Sequence, residues 1–282
     1  MCWFDRRLVV AAAILALPAG AVAEIDGYIL GFGGEADTAG GRAVTVFGDV
    51  GVTKGTWVST ALARTTTGSG PRSLDTVYAD LAIDHWFDPV GVRVAAAYWG
   101  DDEVLDSGDL RGSVYFRNDT LSASADYERR NFDLTIGTGV LSRPRTVEFH
   151  ADGFGAKARL VVSKKTALSL GGISYSYSRD INLQPNTDLL RIFSSSRLGL
   201  MNSLLDYRYH AGIDWSAGPR IIDLRFERWQ TAIDQGTVDS IGAGFLTPAG
   251  PFSDVEMRIS YDYSATFGKT ITFSAFFYFF GT

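Results

Sequence analysis

Cysteine is all but absent from this chain: the one thiol in 282 residues is Cys2. A disulfide framework is therefore excluded, and so is any cysteine-based metal site. Also missing is a run of about 20 apolar residues, the length a membrane-spanning helix requires. The longest run, Leu8 to Leu17, covers half of that. Positive charge is not in excess, since 26 Lys and Arg face 32 Asp and Glu for a formal charge of −6. That balance argues against nucleic acid as a partner. Histidine is scarce, with three residues (His85, His150 and His210), and no glycine loop of the phosphate-cradling type occurs.

The first 23 residues form an export leader. Arg6 and Arg7 supply a basic start, Leu8 to Leu17 an apolar middle, and Pro18 and Gly20 a break. Ala21-Val22-Ala23 then places small residues at the cleavage positions before Glu24. Cys2 lies in the basic region and not directly after the cleavage box, so lipid attachment is not expected. The expected organisation is a signal peptide over 1–23 and one exported domain over 24–282. That domain has no cysteine, so its stability must come from one extended hydrogen-bonded framework.

What is present in abundance is alternation with a period of two, punctuated by turn residues. Val77, Ala79, Leu81 and Ile83 alternate with Thr76, Tyr78, Asp80 and Asp84, and Asp88-Pro89 follows as a turn. Leu121, Ala123, Ala125 and Tyr127 oppose Ser122, Ser124, Asp126 and Glu128. Arg130-Asn131 then separates this segment from Phe132, Leu134 and Ile136, with Asp133 placed on the wet face. Leu205, Tyr207, Tyr209, Ala211 and Ile213 oppose Asp206, Arg208, His210 and Asp214. Ile222, Leu224 and Phe226 oppose Asp223, Arg225 and Glu227. One face is apolar with aromatics towards its ends; the other is charged.

A soluble β-sandwich also alternates, but its strands average about five or six residues. Many segments here run longer, to the nine to eleven residues that cross a membrane at a tilt of about 45°. The expected fold is an all-β, antiparallel, up-and-down transmembrane barrel of about 16 strands. That count takes Thr146 to His150 as a short strand of its own; 14 strands is the alternative. Between Leu170 and Ile173 the apolar parity switches at Gly171-Gly172, where a β-bulge is expected. The long connection from Arg179 to Asn202 either packs on the rim or folds inward to narrow the pore.

The chain ends on Thr270-Ile-Thr-Phe-Ser-Ala-Phe-Phe-Tyr-Phe-Phe280, a liability on a soluble edge but suited to the closing strand of a barrel. Ile271, Phe273, Phe277 and Phe279 share the outward parity. Together with the leader and the alternation, the segment Thr266 to Phe273 resembles the C-terminal assembly signal of Gram-negative outer-membrane β-barrel proteins. The resemblance covers the leader and the whole mature chain. It implies a porin-like protein of the cell outer membrane, exported by the secretory pathway. By position, Thr266, Gly268, Ile271 and Phe273 would be read by the barrel-assembly machinery, with periplasmic chaperones as earlier partners. Outer-membrane lipid and lipopolysaccharide would surround the finished barrel. The chain departs from the pattern by adding Gly281-Thr282 after the last aromatic.

The wet face then becomes the lumen. Its candidate lining residues are Arg111, Arg117, Lys157, Arg159 and Arg208, continued by His210, Arg225, Glu227, Arg258 and Asp262. With a turn centred near Ala217-Gly218, Arg208 faces Glu227 and His210 faces Arg225. This set fits a charged pathway for passive diffusion of small hydrophilic solutes. It equally fits facing ion pairs that brace a closed structural or surface-interaction barrel. An outer-membrane hydrolase is the weaker alternative: no histidine has a nucleophile at usable spacing, and His210 reads as a member of an interior network. No catalytic residue is assigned and no cofactor or metal is expected. The acidic stretch Asp101-Asp102-Glu103 with Asp106 and Asp109 lacks calcium-loop spacing and reads as a solvated loop.

Overall fold

The computed structural model describes residues 26–67, 74–101, 105–136, 145–179, 204–266 and 268–281. The expected leader, positions 180–202 of the long connection, and Asp102 and Glu103 of the acidic stretch lie outside these residues. Every regular element described is a β-strand. The first seven are β1 (Gly27–Asp37), β2 (Arg42–Thr53), β3 (Thr56–Thr67), β4 (Leu74–Trp86), β5 (Val90–Gly100), β6 (Leu105–Arg117) and β7 (Leu121–Ile136). The remaining seven are β8 (Arg145–Ser163), β9 (Thr166–Tyr177), β10 (Leu205–Ala217), β11 (Arg220–Thr231), β12 (Thr237–Gly250), β13 (Ser253–Ser264) and β14 (Gly268–Gly281). Each strand pairs antiparallel with its sequence neighbour, and β1 pairs with β14 to close the barrel. Closure leaves no open edge, which is what lets so apolar a last strand exist.

The two ends of the barrel differ. At one end, which also carries the start of β1 and the finish of β14, the connections are tight. Gly55 with φ of 87° turns β2 into β3, and Gly218 with φ of 66° precedes Pro219 between β10 and β11. Asn118 Oδ1 accepts from the amides of Thr120 and Leu121 to shape the turn into β7. The opposite end carries the longer connections. Short turns at one end and long loops at the other are the usual pattern of outer-membrane barrels.

The distribution of apolar residues is inverted relative to a soluble protein. Leu30, Phe32, Val44, Leu62, Leu110, Leu170, Leu224 and Ile259 all stand exposed on the outer wall. Ile271, Phe273, Phe277 and Phe279 do so on the closing strand. Phe32 stacks on Phe277 across the closing seam, with ring centroids 5.3 Å apart. Towards the loop end the outer wall turns basic two residues beyond the last apolar side chain, as in Leu62 to Arg64, Tyr127 to Arg129 and Phe226 to Arg228. The apolar belt therefore has a sharp upper border.

The strand number is 14, the smaller of the two expected values. Two long strands account for the overcount. β7 runs through Arg130-Asn131 without a turn, and Thr146 to His150 is the first part of β8. The bulge expected at Gly171-Gly172 is also absent: Gly171 and Gly172 pair in unbroken register with Lys157 and Ala156 on one side and with His210 and Tyr209 on the other. All three errors have one cause. Near the loop end the inner wall itself becomes apolar, so Phe132, Leu134, Ile173, Tyr175 and Tyr177 point inward, and a change of lining was read as a change of parity. Asp133 consequently falls on the outer parity. Leu205, expected outside, is buried beside a register shift at the start of β10. The acidic stretch is not one loop either, since Asp106 and Asp109 belong to β6.

Candidate solute pathway

The inner wall is built in two tiers. The tier nearer the loop end is apolar: Trp99, Leu105, Phe132, Leu134, Phe149, Tyr175, Leu205, Trp229 and Val238 form one contiguous cluster along β5 to β12. Phe132 and Phe149, ladder partners on β7 and β8, stack with centroids 5.0 Å apart. Leu204 and Ile233 from the adjoining connections are buried in the same cluster.

Below it lies the charged tier, where alternation aims Arg, Lys, Asp and Glu into the barrel. Arg208 Nη2 lies 2.7 Å from Glu227 Oε2, and Lys157 Nζ lies 3.4 Å from Asp126 Oδ2. Arg130 Nε donates to Glu128 at 2.9 Å, while the Tyr175 hydroxyl donates to the other Glu128 oxygen at 2.7 Å. Arg111 binds Asp80 and donates to the Tyr78 hydroxyl at 3.1 Å. Arg258 holds Asp223 at 2.9 Å and Glu256 at 3.1 Å, and Tyr278 donates to Glu256 at 2.6 Å. Arg159 holds Asp214 at 3.0 Å. Arg130–Glu128 and Arg258–Glu256 lie within one strand, and the other pairs join strands that are neighbours or next-neighbours in the sheet. The charges are fastened along the wall.

Glycines let the bulky inner groups lie flat. A Cβ at Gly153 would sit 2.5 Å from the Tyr175 ring, and one at Gly171 would sit 2.6 Å from the His210 ring. Phe47 lies across Gly31 and Phe276 across Gly33 in the same manner. An aromatic ring laid over a glycine on the next strand covers backbone and takes little of the central space. What is left is a cavity of about 480 Å³ lined by Arg93, Arg111, Lys157 and His210 and also by Ile173 and Leu205. A second cavity of about 220 Å³ adjoins β13, β14 and Arg258. Arg208, Arg225 and Glu227 line both.

Of the ten residues expected to line a lumen, Arg111, Lys157, Arg208, His210, Arg225 and Glu227 border the larger cavity, and Arg258 the smaller. Arg117 stands near the turn end with its guanidinium 4.5 Å from the centre of the Trp86 ring. Arg159 is held by Asp214 as described, and Asp262 is buried on β13. The expected cross-strand register is off by two residues: His210, and not Arg208, is the partner of Glu227, and Arg225 faces Gly212. The turn centres on Gly218-Pro219, with Ala217 paired to Arg220. Arg93 and Arg130 were not singled out from sequence. Arg130 reads from the sequence as a turn residue, whereas strand parity alone places Arg93 inside.

The three histidines are far apart in role. His85 Nδ1 bonds the Thr56 hydroxyl at 2.7 Å, and His150 lies 3.9 Å from Asp152. His210 rests over Gly171, with no hydrogen bond to a hydroxyl among the described residues. Of the assembly-signal positions, Gly268 opens β14 with φ of 83°, the Thr266 amide donates to Ser264 Oγ, and Ile271 and Phe273 face outward.

No known family model matches the chain, and no curated protein matches it. Solved structures do. The CymD monoaromatic hydrocarbon channel aligns with 91% of this chain and 88% of its own at a TM-score of 0.59 and 11% identity. The NanC porin aligns with 89% of this chain and 98% of its own, at TM-score 0.49 and 9% identity. The KdgM porin covers the same shares at TM-score 0.44 and 8% identity. At such identity the likeness is one of fold: this chain adopts the closed antiparallel barrel that outer-membrane channels use.

Proposed function

We propose that this protein is an outer-membrane channel through which small hydrophilic solutes diffuse along a charged lumen. One observation carries the reading: most interior charges are paired along the wall and the inner aromatics lie flat over glycines, so that a charged cavity remains inside the barrel. A barrel meant only to be solid would fill that space with side chains that meet across it, as small barrels do. The apolar outer belt, its basic border and the aromatic closing strand support residence in the outer membrane, with the long loops facing outward. Fixed charges on the wall hydrate the path and bias which ions enter it. The fold shared with CymD, described as a hydrocarbon channel, agrees with transport and leaves the cargo of this chain to its own lining.

A second reading, a barrel closed at its loop end, draws on the apolar tier, where Leu204 and Ile233 are packed among inward-facing rings. Conductance separates the two. Purified protein inserted into planar bilayers should give discrete, ohmic conductance steps in KCl. Protein that migrates as a folded, heat-modifiable barrel yet never conducts would establish the closed form.

A further inference from the structure

We infer that the solute is an organic anion with an apolar body, and that Arg225 is the group that meets its charge. This inference rests on the channel reading and narrows its cargo.

Around the shared wall of the two cavities, the nearby carboxylates are already engaged. Glu227 is held by Arg208, Asp223 by Arg258, Asp126 by Lys157 and Glu128 by Arg130. Arg225 has Asp223 and Glu227 on either side along its own strand, and both are taken. It makes no hydrogen bond or ion pair with another described residue. A guanidinium with five donors and none of them satisfied by a described residue is a recognition group in waiting, shaped for a carboxylate.

The ladder explains why it stays free. The partners of Arg225 are Gly212 on β10 and Gly242 on β12, so no side chain on either neighbouring strand stands beside it on the inner wall. Nor does it lie down over them as His210 lies over Gly171. The space a Cβ would take at Gly212 is bordered by the Ser169 hydroxyl and a backbone oxygen, and that at Gly242 by Ser260 and backbone. The Arg225 side chain therefore stands off the wall where the two cavities meet.

The other half of the inference comes from the tier above. Ile173, Leu205 and Tyr175 line the larger cavity together with its cations, Ile173 as the ladder partner of Arg208. A solute seated there meets both an apolar surface and a free guanidinium. Inorganic anions use the second alone, and neutral hydrocarbons the first alone; an aromatic or branched carboxylate uses both.

The test is a bilayer with KCl on one side and the potassium salt of benzoate, or of acetate, on the other. Potassium is balanced, so the reversal potential reports each carboxylate against chloride. The wild-type channel should pass benzoate at least as readily as the smaller acetate. Arg225→Ser should lower the benzoate-to-chloride permeability ratio about fivefold, with Arg225→Lys retaining most of it. Ile173→Ser should lower benzoate and leave acetate unchanged. A conducting channel that prefers cations, or whose ratio is unmoved in a heat-modifiable, folded Arg225→Ser protein, overturns the inference and leaves the channel standing. A folded wild-type barrel with no conductance overturns the channel reading itself.

Discussion

Arg208 and Glu227 are bonded on a diagonal. The guanidinium reaches the carboxylate at 2.7 Å, although the ladder partner of Glu227 is His210 and that of Arg208 is Trp229. Glu227 is almost completely buried at 3% side-chain exposure, whereas Arg208 keeps 29%. A buried carboxylate stripped of its cation is costlier than the pair is valuable. Arg208→Ala should therefore destabilise the barrel by about 3 kcal/mol, and adding Glu227→Gln should restore much of the loss. Urea unfolding from lipid vesicles, followed by tryptophan fluorescence, measures both. Equal instability of the single and double variants would show that the charge of Glu227 is not the source of the cost.

The closing seam depends on a missing side chain. A Cβ at Gly33 would collide with both the Phe276 ring and the Ala275 carbonyl on β14. The ring can swing, but the backbone cannot, so Gly33→Ala should cost about 1–3 kcal/mol and slow closure of the barrel. Gly108→Ala serves as the comparison, because nothing lies within 4 Å of its Cβ position. The fraction of heat-modifiable barrel after refolding into detergent should fall for the first substitution and hold for the second.

How far the sequence was legible follows from what alternation encodes. Period two marks which residues share a face, and that was enough for the barrel, its closing strand and most of the charged tier. It does not say which face is in. Where the inner wall changes from charged to apolar, at Phe132 on β7 and Ile173 on β9, the pattern changes parity while the backbone runs straight. Segmentation by parity therefore cut β7 and β8 in two and invented a bulge at Gly171-Gly172. The pairing of Arg208 with Glu227 is legible, but its diagonal geometry is not: register is set by the position of a two-residue turn, and misplacing it by one residue shifts every ladder partner by two. Arg225 was visible as a charge on the wet face, but its freedom depends on Gly212 and Gly242, which only the register brings beside it.

The absence of native cysteine beyond Cys2 permits a direct reading of the two faces. Arg225→Cys should react rapidly with a charged, water-soluble thiol reagent in the folded barrel. Phe226→Cys, one residue on and exposed on the outer wall, should react only with a reagent that partitions into the bilayer. A Cys2→Ser background removes the one native thiol. Equal labelling of both positions by the charged reagent would contradict the assignment of inside and outside along β11.

The outer wall sets the last expectation. Phe273 stands half exposed on β14, within the apolar run from Ile271 to Phe279 and beside Ile259 of β13, while Ser274 next to it is buried within the barrel. In water, exchanging an exposed Phe for Arg would improve solubility and cost little. In a bilayer the same exchange places a guanidinium among acyl chains, at a cost of about 2–4 kcal/mol near the midplane. Phe273→Arg should therefore lower the urea midpoint in vesicles by a corresponding amount, and less in a thinner bilayer, where the arginine can snorkel to the border more easily. Phe279→Arg, near the turn end, should cost less, because the penalty falls towards the interface. Depth dependence is the decisive feature: a protein–protein contact covering this wall would penalise both positions by their packing alone and take no notice of bilayer thickness.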